Sequence, residues 1–158
     1  MSRPARSHRR PRLSPTRPGA SIPLRSPDDA LRVVLAAIAQ PPEAETIVLL
    51  LDPTCRGSVC LVCRGATTAD QVASLVPLLV QAAANEPSVG AVVLATVRPG
   101  LGVVVGGEDQ VGFGVMRQDL ADAGIDLLDW FVLDGEVIVS VAELSGACWR
   151  WPGEEPPW

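Results

Sequence analysis

Residues 91–107 read AVVLATVRPGLGVVVGG, and this stretch decides the fold. Its first half, residues 91–97, is a continuous run of apolar and β-branched residues, the pattern of a strand buried on both faces. The run stops at Arg98-Pro99-Gly100 and opens into a glycine-punctuated loop. In an α/β domain, ligands and catalytic groups gather where a buried strand opens into a loop. Here that point offers one arginine, Arg98, no histidine and no cysteine, with the acidic pair Glu108-Asp109 a little further on.

The flanking segments supply the other layers. Ser26-Pro27-Asp28-Asp29 is a helix start, with serine as N-cap, proline at the first helical position and two acids in the first turn. Leu31, Val34, Leu35 and Ile38 follow at helical spacing until Pro41-Pro42 ends the helix. Residues 46–51 (TIVLLL) read as a buried strand. Asp52-Pro53 opens a turn, and residues 59–63 return as the second strand of a hairpin. Thr68 and Gln71 form a capping box for a helix reaching to about Asn85, with Pro77 predicting a kink or break inside it.

Beyond the opening stretch, a helix is expected over residues 110–123, with Val115, Met116, Leu120 and Ala123 on one side and Gly124 as its stop. Residues 125–133 read as a strand. Asp134-Gly135 is the strongest short hairpin signal of the chain, and Val137, Val139 and Val141 alternate in a returning strand. The fold class is therefore α/β: a single domain with a mixed β-sheet flanked by helices, in the order α-ββ-α-β-α-ββ.

Charge divides the chain into regions. Residues 1–25 hold seven arginines and no acid, a charge of +7, whereas residues 26–158 hold six arginines and 18 acids, a charge of −12, and together these give the net −5. An arginine- and proline-rich arm over residues 1–25 cannot bury enough surface to offset its ordering entropy and is expected to be disordered. The arm is the only part suited to touch nucleic acid, since the acidic body repels it. The domain proper is assigned to residues 26–145, and residues 146–158 form a tail rich in tryptophan and proline. Of its tryptophans Trp149, Trp151 and Trp158, one or two are expected to pack back on the domain. No lysine occurs, so the basic residues are all arginine, which reflects a GC-rich coding background.

No apolar run is long enough to span a bilayer, and the start lacks the apolar region of a secretory signal. The protein reads as cytoplasmic, without a membrane partner, and its four cysteines as reduced thiols or ligands. Cys55, Cys60 and Cys63 have the C-x4-C-x2-C spacing of a plant-type ferredoxin loop, with Cys148 far downstream as the fourth candidate ligand of an iron–sulfur or zinc site. Against that stands the apolar run Cys60-Leu61-Val62-Cys63, in which residues three apart point to opposite faces of a strand.

Other chemistries find little material. His8, the only histidine, lies in the arm, so triad arrangements are excluded. The glycines of the 100–114 region match neither a dinucleotide fingerprint nor a P-loop. The carboxylate pairs Glu108-Asp109 and Asp126 with Asp129 read as solvated surface charges. No cofactor is expected.

Three stretches, TIVLLLDPTCRGSVCLVCRGATTA, VGAVVLATVRPG and LADAGIDLLDWFVLDGEVIVSVAEL, together resemble the RadC-like branch of the JAB/MPN metallopeptidase fold over about 100 residues. The chain is also similar to short proteins of high-GC bacteria that carry Arg-Pro-Gly here and a Leu-Leu-Asp-Trp-Phe strand. The family resemblance implies a metal centre at His-x-His-Pro followed by Ser-x-x-Asp. In this chain Thr96, Val97 and Arg98 precede Pro99, Gly106 stands at the serine position, and Asp109 corresponds to the ligand aspartate. Both histidine ligands are thus replaced, and a fixed cation such as arginine repels a metal. The expectation is a non-catalytic RadC/JAB-like binding or scaffold module. Thr96, Arg98 and Asp109 are its candidate contacts to a protein partner, a second copy of the chain or an anionic ligand.

Overall fold

The structure, a computed structural model, describes residues 23–85, 89–100, 105–134, 136–147 and 151. Helix α1 spans Pro27–Ala37, with the Ser26 hydroxyl accepting from the Asp29 amide at its start. Strands β1 (Glu45–Leu51) and β2 (Gly57–Arg64) form the expected hairpin. Helices α2 (Ala69–Ala73) and α3 (Val76–Asn85) replace the single helix of residues 68–85. The break falls at Ser74-Leu75, and α3 restarts at Val76 just before Pro77, whose ring has no N–H to give to a continuing helix. The capping box between Thr68 and Gln71 is formed as expected.

Strand β3 (Ala91–Val97) leads to α4 (Gly107–Asp122), and β4 (Asp126–Leu133) leads to the short β5 (Ile138–Ser140) and α5 (Val141–Leu144). The five strands form one mixed sheet in the order β2-β1-β3-β4-β5. Pairing is antiparallel except between β3 and β4, which run parallel and are joined through α4. The outer helices thus change the element order to α-ββ-αα-β-α-ββ-α, while the strand sequence is as expected.

The alternation of β1 and β3 sorts the core into two layers. Val48, Leu50, Val92 and Leu94 face α2–α5, where Val72, Leu79, Phe113, Met116 and Leu120 meet them. Ile47, Leu49, Leu51, Val93 and Ala95 face the other way, onto Ala30 and Val34 of α1 together with Leu24 and Trp151. Full burial of each such aliphatic side chain contributes about 1.5–3 kcal/mol. Where α2 crosses α4 the chain has Gly112. A Cβ there would stand 3.2 Å from the Cβ of Ala69, so the missing side chain permits the close approach.

Several expectations are corrected at the edges. Pro23–Arg25, read as the end of a disordered arm, belong to the domain: Pro23 bridges to Arg56, and Leu24 is buried and donates its N–H to the Cys55 carbonyl. The rest of the arm, residues 1–22, lies outside the described residues, as do Leu101–Val104 of the glycine-rich loop, Cys148, Trp149 and Trp158. Trp151 does pack back, against the α1 layer. Helix α4 starts three residues earlier than expected, and Val115 is exposed, because the buried stripe is Phe113, Met116 and Leu120. Val141 is not a strand residue: the strand stops at Ser140, whose hydroxyl accepts from the Glu143 amide and begins α5. Among the described residues no helix is long and apolar enough to cross a membrane.

Candidate functional site

The C-terminal end of β3 positions Thr96 and Arg98 two residues apart. Thr96 is fully buried beside its cross-strand neighbour Thr46, with their hydroxyl oxygens 2.8 Å apart. Thr46 gives its hydroxyl hydrogen to the Ala66 carbonyl, so the hydrogen between the two threonines belongs to Thr96. Thr96 in turn accepts the indole N–H of the fully buried Trp130 at 2.9 Å. The result is a directed chain, Trp130 to Thr96 to Thr46 to Ala66, that ties β4, β3 and β1 to the segment leading into α2.

Arg98 leaves the strand with its backbone N–H donated to the Leu133 carbonyl at 2.7 Å. Its guanidinium turns inward, and the side chain is only 13% exposed. Nη2 donates to Asp109 Oδ1 at 2.7 Å and Nη1 to Oδ2 at 3.1 Å, a two-pronged contact, while Nε donates to the Thr67 carbonyl at 2.8 Å. The same group lies 6.0 Å from the ring centroid of Trp130, within cation–π range. Planar, bidentate pairing of this kind is what an arginine fork does better than a lysine.

Asp109 is 8% exposed at its side chain and sits in the first turn of α4, where a negative charge is favoured by the helix dipole. Its Oδ2 also accepts the N–H of Gly106, closing the helix start. The reading of Asp109 as a solvated charge is therefore wrong. It lies four residues before Phe113, on the line that Met116 and Leu120 continue, so the helical spacing of the core stripe already passes through it. Above the pair lies a cleft of about 310 Å³ bordered by Thr67, Thr68, Arg98, Pro99, Glu108 and Asp109.

Of the three positions where the resemblance puts metal ligands, Arg98 and Asp109 are brought together at the cleft while Thr96 is buried away from it, and their donors do not fit a zinc ion. The Thr96 hydroxyl is enclosed in the threonine–tryptophan chain, and both oxygens of Asp109 are engaged by a guanidinium. A positive charge already lies against both oxygens of the carboxylate, and it repels a metal ion.

The cysteines are not brought together. Cys60 pairs in register with Leu49 and shares the α1 face, whereas Cys63 pairs with Thr46 and packs against the α2–α5 layer. Cys55 is buried in the turn before β2 at φ 59°, and Cys148 lies outside the described residues. Burial pushes the thiols of Cys55, Cys60 and Cys63 up, which disfavours the thiolates that a metal or a nucleophilic reaction needs. Among the described residues no three histidine, cysteine, aspartate or glutamate side chains are placed to hold a metal ion.

A second buried carboxylate, Asp129, was also read as a surface charge and is 4% exposed. The pairing of β3 with β4 skips Leu128, so that Val92 faces Leu127 but Val93 faces Asp129. This irregularity turns the carboxylate toward the junction of β5 and α5. Its oxygens accept the Ser140 hydroxyl at 2.8–2.9 Å, and Oδ1 also accepts the N–H groups of Trp130 and Ala142. Desolvation pushes its carboxyl up, partly offset by the Ser140, Trp130 and Ala142 hydrogen bonds. Its signal in the sequence was position: Asp129 interrupts the run LLDWFVL, and a polar residue inside a doubly buried strand is buried with it.

No protein-family model matches the chain, and none of the curated proteins matches it.

Proposed function

We propose that the chain is a non-catalytic RadC/JAB-like binding or scaffold module of the cytoplasm, which uses the cleft at the end of β3 to hold a protein partner. One observation carries this reading: the guanidinium of Arg98 is clamped on both oxygens of Asp109 at 2.7 and 3.1 Å, where the resemblance assigns a metal. A fixed internal cation takes over the electrostatic role of the metal toward Asp109, but it offers no vacant coordination position and no acidic bound water. What is left is a rigid wall, with Arg98 pinned by Thr67 and Trp130 and the exposed Glu108 and Thr68 on the rim. Preformed, partly polar clefts of this kind suit recognition of another chain.

The test is elemental analysis of the purified full chain together with a D109N variant. The expected result is no stoichiometric zinc in either protein and no rise in melting temperature when zinc is added. One zinc ion per chain that is lost in D109N overturns the proposal. The binding side is read with E108R, which changes the rim without touching the buried pair. This variant keeps its fold with a small drop in melting temperature, from a positive charge in the first turn of α4, and loses partner capture or self-association, whereas unchanged association overturns the assignment of the contact to this cleft.

A further inference from the structure

A groove separate from the Arg98 cleft lies between α1 and the β4–β5–α5 end of the sheet, with a volume of about 470 Å³. Its apolar part is formed by Leu31, Phe131 and Trp151, and its charged part by Asp28, Asp129 and Glu143. Among the described residues, no basic residue lines it. Asp28 and Glu143 are exposed, and Asp129 is held below them by Ser140. An apolar channel bordered by three acids is complementary to an extended segment that carries arginines between apolar or proline residues.

The chain contains such a segment. Residues 1–22 hold six arginines, four prolines and no acid, and include Pro15-Thr16-Arg17-Pro18. Proline-rich sequence favours the polyproline II conformation, which loses little entropy on docking and presents arginines and prolines on different sides. The attachment point also fits. The segment joins the domain at Pro23, Leu24 packs in the same apolar layer as Phe131 and Trp151, and Pro27, four residues after Pro23, is part of the groove wall. At about 3.1 Å per residue, 22 residues reach roughly 70 Å, several times the distance needed to fold back. The other end of the chain is a poorer occupant: residues 152–158 read PGEEPPW and would bring two more acids to an acidic groove.

We propose that the groove between α1 and the β5–α5 end is a docking site for a basic, proline-rich segment, and that its occupant is the chain's own N-terminal arm, residues 1–22. The arm then neutralises part of the acidic body instead of reaching for nucleic acid, and the groove defines the chemistry of any external peptide that could displace it.

A photo-crosslinking residue, benzoylphenylalanine, placed at the exposed groove position Ile138 of the full chain tests this. The expected crosslinks, located by peptide mass spectrometry, run within one chain to residues 1–22. Their yield falls about threefold or more between ~50 mM and ~500 mM salt, as contacts between exposed charges are screened. D28N/E143Q, which keeps the fold by melting temperature, lowers the yield at low salt by a similar factor, and replacing the six arm arginines by glutamine removes the crosslink. Crosslinks confined to residues 26–158, crosslinks to a second chain, or a yield to the arm that ignores both salt and D28N/E143Q each overturn the proposal.

Discussion

Asp109 and Asp129 are both buried carboxylates, yet the chain keeps them in opposite ways. Asp109 faces a guanidinium brought from eleven residues earlier in sequence and on another element, so its partner is a full charge. Asp129 faces only hydroxyl and amide donors, from Ser140, Trp130 and Ala142, and its carboxyl is pushed up by desolvation. The first arrangement locks α4 to the end of β3 and shapes the cleft of the proposed site. The second stops β5 and begins α5, which shapes the acidic groove. A buried charge matched by a charge fails badly when one side is removed, whereas one matched by dipoles can be exchanged for a neutral isostere.

The largest expected effect follows from removing one side of the ion pair. R98M keeps much of the aliphatic volume but leaves Asp109 buried without its cation and the Thr67 carbonyl without a donor. A loss of about 3–5 kcal/mol in urea unfolding is expected. The double variant R98M/D109L removes both charges and should be less destabilised than R98M alone, since no uncompensated carboxylate remains. A double variant at or beyond the sum of the two single losses would contradict a direct pairing. R98K is expected between wild type and R98M, because one ammonium cannot make the two parallel bonds of the fork.

A smaller loss is expected at the threonine chain that stands beside the pair. T96V keeps the shape but leaves the Trp130 indole N–H without an acceptor and Thr46 without a donor. Its cost should be about 1–3 kcal/mol, the penalty for an unsatisfied buried polar group. T96S, which restores the hydroxyl, should recover most of this. If T96V and T96S are equally stable, the hydroxyl chain contributes nothing and Thr96 acts by shape alone.

The contrast between the carboxylates also explains what could be read from the sequence. Strands with continuous apolar runs were legible because residues 46–51 and 91–97 admit no other reading at their length, and both mark the centre of the sheet. Helix starts were legible where a side chain caps locally, as with Ser26 and Thr68. Positions depending on contacts across the fold were not. Whether Arg98 points to solvent or to Asp109 depends on where α4 begins, and α4 begins three residues early because Asp109 itself holds the Gly106 amide. The returning strand was read one residue too long at each end, since Val137 also lies outside it, and at its C-terminal end the reason is similar. Val137, Val139 and Val141 alternate well, but Asp129 and Ser140 together convert the third valine into the first helical residue. In both cases the expected boundary is moved by a buried carboxylate, which belongs to the helix's own first turn at Asp109 and to a neighbouring strand at Asp129.

The smallest effect, and the one that separates the two carboxylates most cleanly, is a pH dependence at Asp129. In D129N the remaining oxygen can still accept from Trp130 and Ala142, and the Ser140 hydroxyl can accept from the new amide. The variant should therefore lie within about 1 kcal/mol of wild type near neutral pH. The difference between the two proteins should nevertheless change with pH. The folded carboxyl of Asp129 is raised above its ordinary value of 3.8, so between that value and the raised one the native state holds more protons than the unfolded chain. The wild-type protein consequently gains from Asp129 at the acid end and loses that gain as pH rises through the folded pKa. After that the difference from D129N becomes constant. Asp52 and Asp134 are lowered by their hydrogen bonds from Thr54 and Val137 and act in the opposite direction, but they are present in both proteins and cancel in the comparison. Urea midpoints of the pair measured from acid to neutral pH test the sign. A wild-type advantage that grows as pH rises would mean that Asp129 is stabilised as an anion by its hydrogen bonds, and would contradict a carboxyl pushed up by desolvation.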